Sequence, residues 1–318
     1  MNVLSLFDGM SCGRLALNSA GVWVDSYFAS EIDPDAIWVT QRNFPDTAQV
    51  GDVSGVSSVR LPQIYLLIGG SPCQGFSLAG EGRAFEDPRS RLFFEWVRVW
   101  RETKPRYWLL ENTPMLERHE QRISNILGVE PYRIDSAGYC AQSRRRLYWT
   151  NLPRPKPKID STVVADVLDF SVSKGRLIDS YLLGLKKDPS YPRLLELRTN
   201  YRVTHPKNKP HPVLVSEVVG DTPSSRSRQA DRIYSTLSKS PTLLANRAQD
   251  LKFDVGGRYH AELWRTISPV EAERLQTVPE GYTSGLSDAK RFKMLGNGWT
   301  VKVLADLFAP LKKNSDLI

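Results

Sequence analysis

Cysteines and long apolar runs are scarce in this sequence of 318 residues. The cysteines are Cys12, Cys73 and Cys140, and so low and odd a count excludes a disulfide framework and a cysteine-rich zinc site. No apolar run approaches the roughly 20 residues of a membrane helix, and Asp8 interrupts the first apolar stretch, which argues against a signal peptide. We therefore expect no metal, no membrane association and a reducing compartment.

Charge of one sign is concentrated in the middle of the chain. The formal net charge is +8, and residues 142–265 hold 23 lysines and arginines against 12 aspartates and glutamates, which leaves the remainder at −3. A basic middle on a near-neutral body indicates a part that binds a polyanion, with nucleic acid the first candidate. A well-solvated basic surface is the alternative.

Apolar runs of strand length alternate with helical patterns in the first half of the chain. This alternation predicts an α/β fold with a parallel, doubly wound sheet. The predicted strands are Val3–Phe7, Val22–Ala29, Ile64–Ile68 and Tyr107–Leu110, and the helices are Arg14–Ala20, Pro34–Asn43 and Ser90–Glu102. The pattern becomes irregular after Trp149, and helical order returns where Ser268 is suited to cap a helix and Pro269 to begin it.

A glycine-containing turn, Phe7–Gly13, follows the first predicted strand. Such a turn lets backbone N–H groups approach a ligand. Glu31 at the end of the second strand fits the acidic residue that holds ribose hydroxyls, and Asp52 stands where a third strand would end. The spacing is not G-x-G-x-x-G, so a dinucleotide site is not indicated, and an ordinary strand–turn–helix remains the alternative.

Chemically active groups stand at successive strand ends. Cys73 lies in a glycine-bounded loop after one buried strand, Glu111 ends the next strand, and Arg144 and Arg146 are alternate residues of a further one. A thiol can act as nucleophile, a partly buried carboxyl can donate a proton, and paired guanidiniums can stabilise charge. Singly, an inert cysteine, a helix-capping glutamate and an exposed basic patch are ordinary. Together these groups indicate attack on an electron-poor ring.

In kind and in order, these residues resemble the motifs of the DNA cytosine-5 methyltransferases. The resemblance covers about residues 1–150 and 258–312, and its motifs are Phe7–Gly13, Glu31, Gly51-Asp52, Ser71–Gln74, Glu111-Asn112, Gln142–Arg146 and Gly296–Gly298. It implies a Rossmann-like S-adenosylmethionine-dependent methyltransferase fold with a mixed, mostly parallel seven-stranded sheet. Residues 1–150 plus 258–318 would form the catalytic domain, and residues 151–257 a smaller, irregular target-recognition domain.

Two subgroups of the family share features with this chain. The stretches Arg91–Glu95, Tyr148–Pro153 and Leu307–Lys312, with Trp299, are similar to the catalytic domain of the animal de novo type. Gln74 and the set of Gln142, Arg144 and Arg146 look more like bacterial and phage enzymes. Because the chromatin-reading modules of the animal proteins are lacking, we expect a stand-alone bacterial or phage enzyme, either part of a restriction-modification system or an orphan.

The resemblance implies a reaction and a role for each catalytic residue. Cys73 would add to C6 of a flipped-out cytosine and so make C5 nucleophilic, Glu111 would hold and protonate N3, and Arg146 would contact O2. The supporting residues are Pro72, which would help hold the base, Asn112, which would support the loop geometry, and Arg144, which would anchor a phosphate or the catalytic loop.

The methyl donor implied by the resemblance is S-adenosylmethionine, which leaves as S-adenosylhomocysteine, with no metal. The positions that match the donor site are Phe7, Asp8, Gly9, Ser11, Glu31, Ile32, Asp52, Val53, Leu92, Asn297 and Trp299. The last motif, Gly-Asn-Gly-Trp-Thr-Val from Gly296, is intermediate between subgroups.

The expected macromolecular partner is double-stranded DNA. The segment Asp231–Leu244 resembles recognition segments of bacterial and phage relatives, although any single charge there could equally be a solvated surface residue. The residues expected to contact DNA are Gln74, Ser77, Arg226, Arg228, Arg232 and Lys239.

Further expectations concern assembly, location and the competing functions. A cognate restriction endonuclease is a candidate partner, the protein would be a monomer or homodimer, and the cytoplasm of a bacterial or phage-infected cell is the expected location. One alternative is a transfer-RNA cytosine-5 methyltransferase, but the Cys-Phe-Thr signature of that branch is lacking. The other is a catalytically silent DNA-binding homologue, which would have lost Cys73 or Glu111.

Overall fold

The computed structural model describes residues 1–71, 91–169, 214–217, 232–236, 238–245, 251–254 and 264–315. The strands of its larger sheet are β1 (Asn2–Leu6), β2 (Ser26–Ser30), β3 (Ala48–Gln49), β4 (Leu66–Gly70), β5 (Tyr107–Asn112), β6 (Tyr132–Asp135) and β7 (Arg145–Thr150). Their order is β3-β2-β1-β4-β5-β7-β6. The first five strands pair in parallel, and β7 runs antiparallel to both β5 and β6. The expected mixed, mostly parallel seven-stranded sheet is confirmed.

Helices connect and flank these strands. They are α1 (Cys12–Ser19), α2 (Pro34–Asn43), α3 (Arg91–Thr103), α4 (Glu117–Leu127), α5 (Val164–Val167), α6 (Pro269–Leu275), α7 (Asp288–Asn297) and α8 (Val301–Ser315). In the part of the chain that the structure describes, none has the length and apolarity of a membrane-spanning helix.

The central strands are buried on both faces because their side chains alternate between two cores. Val3 of β1 points into the core shared with α1 and α8, whereas its neighbour Leu4 points into the core shared with α3 and α4. In the second core Trp96 of α3 is fully buried, and its ring lies 5.9 Å from that of Trp108 on β5. The sheet is therefore a rigid layer between two helical layers.

A second sheet lies in the region that the sequence pattern left irregular. Its strands are β8 (Leu214–Glu217), β9 (Arg232–Ser235), β10 (Lys252–Asp254) and β11 (Trp264–Thr266), in the order β11-β10-β9-β8. Because β11 belongs to it, this sheet continues past residue 257, where the recognition domain was expected to end. The division of the chain into domains otherwise stays a prediction.

Strand direction determines which residues meet at one edge of the large sheet. The parallel strands β1, β2, β4 and β5 all end there, so the residues after Leu6, Ser30 and Gly70 and the last residues of β5 come together. Because β7 runs the opposite way, it begins at the same edge with Arg145. The candidate site lies along this edge, where open α/β sheets bind ligands.

Candidate active site

A cavity of about 820 Å³ opens at this edge of the sheet. The ends of β1, β2, β4 and β5, the start of β7 and the turn between α7 and α8 contribute to its wall. The expected site residues found in the described lining are Phe7, Asp8, Gly9, Glu31, Glu111, Asn112, Arg144, Arg146, Asn297 and Trp299. One cavity thus joins residues expected for the donor with residues expected for the base.

The β1–α1 turn is sharply folded. Phe7, Gly9 and Ser11 have φ angles of 56°, 57° and 59°. These angles lie in the left-handed region of backbone conformations, which residues other than glycine rarely adopt. The backbone N–H of Asp8 donates to the carbonyl of Ser30 at 3.1 Å, which holds the turn against the end of β2. These contacts bring the turn and Glu31 to the same side of the cavity.

Glu31 uses both carboxylate oxygens to fix the backbone around the cavity. Oε2 accepts from Gly9 N at 2.7 Å, and Oε1 accepts from Ile32 N at 2.7 Å and Asp33 N at 2.9 Å. Because each carboxylate oxygen can accept two hydrogen bonds, Oε2 retains a free acceptor position. The Ile32 side chain is 70% exposed, which leaves apolar surface beside that acceptor.

Asp8 is a buried carboxyl beneath the turn. Its Oδ1 accepts from the Tyr27 hydroxyl at 2.8 Å, and Oδ2 accepts from the Ser11 hydroxyl. Burial raises the pKa of Asp8 to about 6, against the opposing effect of these hydrogen bonds. Asp8 therefore titrates close to neutral pH.

The remaining positions expected at the donor site are not in the described cavity lining. Ser11 is fully buried beneath the turn, and Ile32 is exposed. Val53 and Leu92 pack with the α3 core, whereas Asp52 is exposed and accepts from Ser54 N at 2.7 Å. Their direct contact with a donor stays a prediction.

Glu111 on β5 is held by a side chain on each oxygen. Arg146 Nε lies 3.0 Å from Oε1, and the indole N–H of Trp299 donates to Oε2 at 3.0 Å. Glu111 is only 8% exposed, so the orientation of its carboxylate is restricted. Beside it, Asn112 Nδ2 donates to Ser71 O at 3.4 Å and lies 3.3 Å from Ser71 Oγ, which ties the end of β5 to the residue after β4.

Arg144 is buried just before β7 rather than exposed in a basic patch. Its guanidinium donates to the carbonyl oxygens of Leu243 at 3.2 Å and of Gly296 and Gly298 at 3.0 Å each. Burial, and then the nearby Arg146, lower the pKa of Arg144. The Arg144 guanidinium is thus hydrogen-bonded to backbone carbonyl groups. The role expected for Arg144 at a phosphate or at the catalytic loop stays a prediction.

Several expected site residues lie outside the described residues. They are Pro72, Cys73, Gln74, Ser77, Arg226 and Arg228, and of Arg232 only the backbone, in β9, is described. The other two cysteines are described: burial raises the pKa of Cys12 to about 12 and also raises that of Cys140. Neither is a candidate nucleophile, because a thiol needs to ionise to attack.

Lys239 corrects an expectation. It was expected to contact DNA, but it is only 2% exposed. Its ammonium donates to the carbonyl oxygens of Cys140 at 2.9 Å, Asp160 at 2.8 Å and Thr162 at 2.7 Å, and lies 3.3 Å from Asp160 Oδ1. A buried ammonium is stable only where hydrogen-bond acceptors surround it, and here those acceptors belong to two other segments of the chain. Lys239 therefore joins three chain segments instead of facing DNA.

One wall of the cavity was not singled out from the sequence. Residues Thr242–Ala245 line it, and the Thr242 hydroxyl donates to Ser143 O at 2.9 Å. A Cβ on Gly296 would lie 2.4 Å from Ala245 N, so the wall presses directly on α7. In the sequence, the segment Asp231–Leu244 resembles recognition segments. This resemblance does not indicate that the segment contacts the catalytic sheet.

No metal site accompanies the cavity within the described ranges. Among those residues, no group of three or more His, Cys, Asp or Glu side chains is placed to hold an ion.

Comparison with known proteins finds methyltransferases. The sequence model of the C-5 cytosine-specific DNA methylases matches residues 1–313. Orphan methyltransferase M.SPRI of Bacillus phage SPR is 29% identical over 295 residues, which cover 80% of this chain and 66% of that protein. Type II methyltransferase M1.ScrFI of Lactococcus lactis subsp. cremoris is 28% identical over 324 residues, covering 95% and 75%. The chain spans 66% of M.SPRI and 38% of M.Rho11sI of Bacillus phage rho11s.

Solved structures agree in fold. A putative DNA modification methyltransferase encoded within an E. coli prophage superposes with a TM-score of 0.62 at 22% identity, covering 99% of both chains. The Entamoeba histolytica methyltransferase EhMeth gives a TM-score of 0.69 at 17% identity, covering 100% of this chain and 99% of that one. These identities support the methyltransferase fold alone. The family match extends over nearly the whole chain, and this protein therefore belongs to the C-5 cytosine-specific DNA methylases.

Proposed function

We propose that this protein transfers a methyl group from S-adenosylmethionine to C5 of cytosine in double-stranded DNA. The observation that carries the proposal is the shared cavity, which Gly9 and Glu31 line on one side and Glu111 and Arg146 on the other. The chain leaves β4 at Gly70 at the edge of this cavity, and Cys73 follows three residues later. The family's donor, acid and nucleophile positions are thereby close in space or in sequence.

The donor side of the cavity fits S-adenosylmethionine. Glu31 Oε2 has an acceptor position left for a ribose hydroxyl, and the exposed Ile32 and the ring of Phe7 offer apolar surface for a flat base. The volume of about 820 Å³ can hold a ligand of nucleoside size together with a base. When bound, S-adenosylmethionine supplies an electrophilic methyl group.

The chain's own residues account for the remaining chemistry. The Cys73 thiolate adds to C6 of cytosine as N3 takes a proton from Glu111, which leaves C5 nucleophilic enough to take the methyl group. Arg146 stabilises the charge near O2 while holding Glu111. After methyl transfer, the C5 proton is lost to a base and the N3 proton returns to Glu111. The Cys73 thiolate is expelled as the C5–C6 double bond reforms, which releases 5-methylcytosine.

DNA recognition follows from the depth of the site. The cavity lies at a sheet edge among side chains, and C6 of a stacked cytosine cannot reach a residue there, so the target base has to leave the helix. We assign DNA contacts to Gln74, Ser77, Arg226, Arg228 and Arg232. A restriction endonuclease that cuts the same unmethylated sequence is the proposed partner, since M1.ScrFI is a Type II methyltransferase.

A nucleoside mass spectrum tests the proposal. Wild type, Cys73→Ala and the matched control Cys140→Ser are incubated with S-adenosylmethionine and unmodified duplex DNA, with transfer RNA in parallel. We expect 5-methylcytosine in DNA from wild type and Cys140→Ser but not from Cys73→Ala. Product in RNA alone would replace DNA by transfer RNA as substrate. Product in neither would favour a silent DNA-binding homologue.

A further inference from the structure

The indole of Trp299 lies between the two sides of the cavity. It lines the cavity together with the donor-side residues Phe7 and Gly9, and its Nε1–H donates to Glu111 Oε2 at 3.0 Å. Trp299 is 9% exposed. One side chain therefore contacts both the expected donor space and the expected catalytic carboxylate.

The position of this indole is set by its neighbours. On one side, a Cβ on Gly13 would lie 3.3 Å from ring atom Cζ3. At the other side, a Cβ on Gly70 would lie 2.9 Å from Glu111 Oε2 and 3.1 Å from Trp299 Nε1. The glycine at the end of β4 keeps clear the space in which the indole and the carboxylate meet.

The two anchors on Glu111 fix the plane of its carboxylate. Arg146 forms an ion pair with Oε1, and the indole N–H of Trp299 occupies one acceptor position on Oε2. Each oxygen keeps a further lone pair. One of these can carry the proton that Glu111 donates to N3 of a cytosine, and the other can accept from the exocyclic amine. Without the indole N–H the carboxylate would keep a single anchor and could rotate about its last side-chain bond.

We propose that Trp299 is a positioning residue for Glu111, which orients the carboxylate toward the cytosine in addition to lining the donor site. This inference rests on the proposed function. It separates two properties of one side chain: the ring contributes to donor binding, and the N–H contributes to the rate of methyl transfer.

Trp299→Phe tests the separation because phenylalanine keeps an aromatic ring but has no N–H. We expect kcat to fall on the order of tenfold to a hundredfold, as for one hydrogen bond to a charged group, while the dissociation constant of S-adenosylhomocysteine changes less than threefold in calorimetry. In a Glu111→Gln background the same substitution should lower the residual rate less than threefold. A raised donor KM with unchanged kcat, or an equal loss in both backgrounds, would overturn the inference.

Gly70→Ala provides a second variant that leaves Trp299 in place. The added methyl group would separate the indole from Glu111, so we expect the same loss of kcat with donor-product affinity retained. Gly55→Ala is the matched control, because no atom lies within 4 Å of the added Cβ, and its kcat should equal that of wild type. Equal kcat in Gly70→Ala and wild type would contradict the positioning role.

An NMR measurement keeps this inference distinct from the proposed function. The Trp299 indole resonance is assigned in a ¹H–¹⁵N spectrum by its disappearance in Trp299→Phe. We expect the indole proton to move upfield in Glu111→Ala, because it loses a charged acceptor. This shift is independent of methylation. An inactive wild type that shows the shift removes the proposed function but keeps the contact, whereas an unchanged resonance in Glu111→Ala overturns the inference itself.

Discussion

Arg144 Nη2 donates to the carbonyl oxygen of Gly298 at 3.0 Å and, at the same distance, to that of Gly296. Through Nη1 the same guanidinium donates to Leu243 O, in the Thr242–Ala245 wall of the cavity. A planar, multiply donating group is suited to such a junction because its hydrogen bonds are fixed relative to one another. Arg144 thus joins the start of β7, the α7–α8 turn and the Thr242–Ala245 wall at the cavity.

Arg144→Lys should weaken this junction, since one ammonium cannot reproduce the guanidinium's geometry. We expect kcat/KM for DNA methylation to fall by roughly tenfold or more, equivalent to the loss of one charge-assisted hydrogen bond, and the melting temperature to fall as well. Arg145→Lys is the control, because the Arg145 side chain is 78% exposed. Equal effects of the two substitutions would argue against a junction at Arg144.

Local signals in the sequence predicted those elements whose ends are determined locally. Helix α2 has its predicted bounds because Asp33 caps it and Pro34 begins it. Helix α6 begins at Pro269 because Ser268 and Glu271 form a reciprocal cap. The second strand begins at Ser26 rather than Val22, because the amino terminus and the Trp23 indole both donate to the Asp25 side chain, at a bend just before the strand.

The site residues that could be predicted from the sequence are those in a motif at the end of a single strand. Glu31 and Glu111 line the cavity, as the motif at each strand end predicted. The contact of Arg144 with Leu243 joins residues 99 positions apart, and Lys239 reaches Cys140 over the same separation. Such pairings depend on how residues 238–245 pack against the large sheet. The basic side chain of Lys239 and the resemblance of Asp231–Leu244 to recognition segments do not indicate them.

Glu31→Gln should weaken donor binding more than DNA binding. The amide would place an N–H₂ group at one of the two oxygen positions. At the Oε2 position it would remove the contact with Gly9 N and the free acceptor position, and at the Oε1 position it would remove the contacts with Ile32 N and Asp33 N. We expect the dissociation constant of S-adenosylhomocysteine to rise by roughly tenfold, in line with a charged hydrogen bond, and DNA affinity to change less than twofold. Asp35→Asn is the control for calorimetry, because Asp35 is a half-buried ion-pair partner of Lys290. The reverse ranking of the two affinities would remove Glu31 from the donor site.

Asp8 should make folding stability depend on pH. Burial raises its pKa from 3.8 to about 6, so its favourable contribution is fully present below pH 3.8 and is lost as pH rises through 6. The shift corresponds to about 3 kcal/mol in full, of which about 2 kcal/mol falls between pH 4.5 and 7.5. Urea unfolding should show wild type losing that much stability relative to Asp8→Asn over this range.

Asp52 should change folding stability with pH in the opposite direction to Asp8, in the same unfolding measurement. Hydrogen bonds from Ser54 lower the pKa of this exposed carboxyl, so its contribution is present above the unfolded pKa and is lost as pH falls. The stability of wild type relative to Asp52→Asn should therefore decline toward acid pH.

The Asp8 prediction has its own contradicting outcome. If the difference in stability between wild type and Asp8→Asn stayed constant with pH, the buried Asp8 carboxyl would not titrate as proposed.

Lys239→Ala should destabilise the fold without changing how DNA binding depends on salt. The substitution leaves three buried or half-buried carbonyl oxygens without their donor and Asp160 without its ion pair. Breaking such a buried arrangement costs about 3 kcal/mol or more, which chemical unfolding would measure. A lysine on a phosphate would instead add about one unit to the slope of log affinity against log salt. The slope of Lys239→Ala should therefore equal that of wild type. A slope reduced by about one, with stability unchanged, would restore Lys239 to the DNA interface and contradict its role in joining residues 140, 160 and 162.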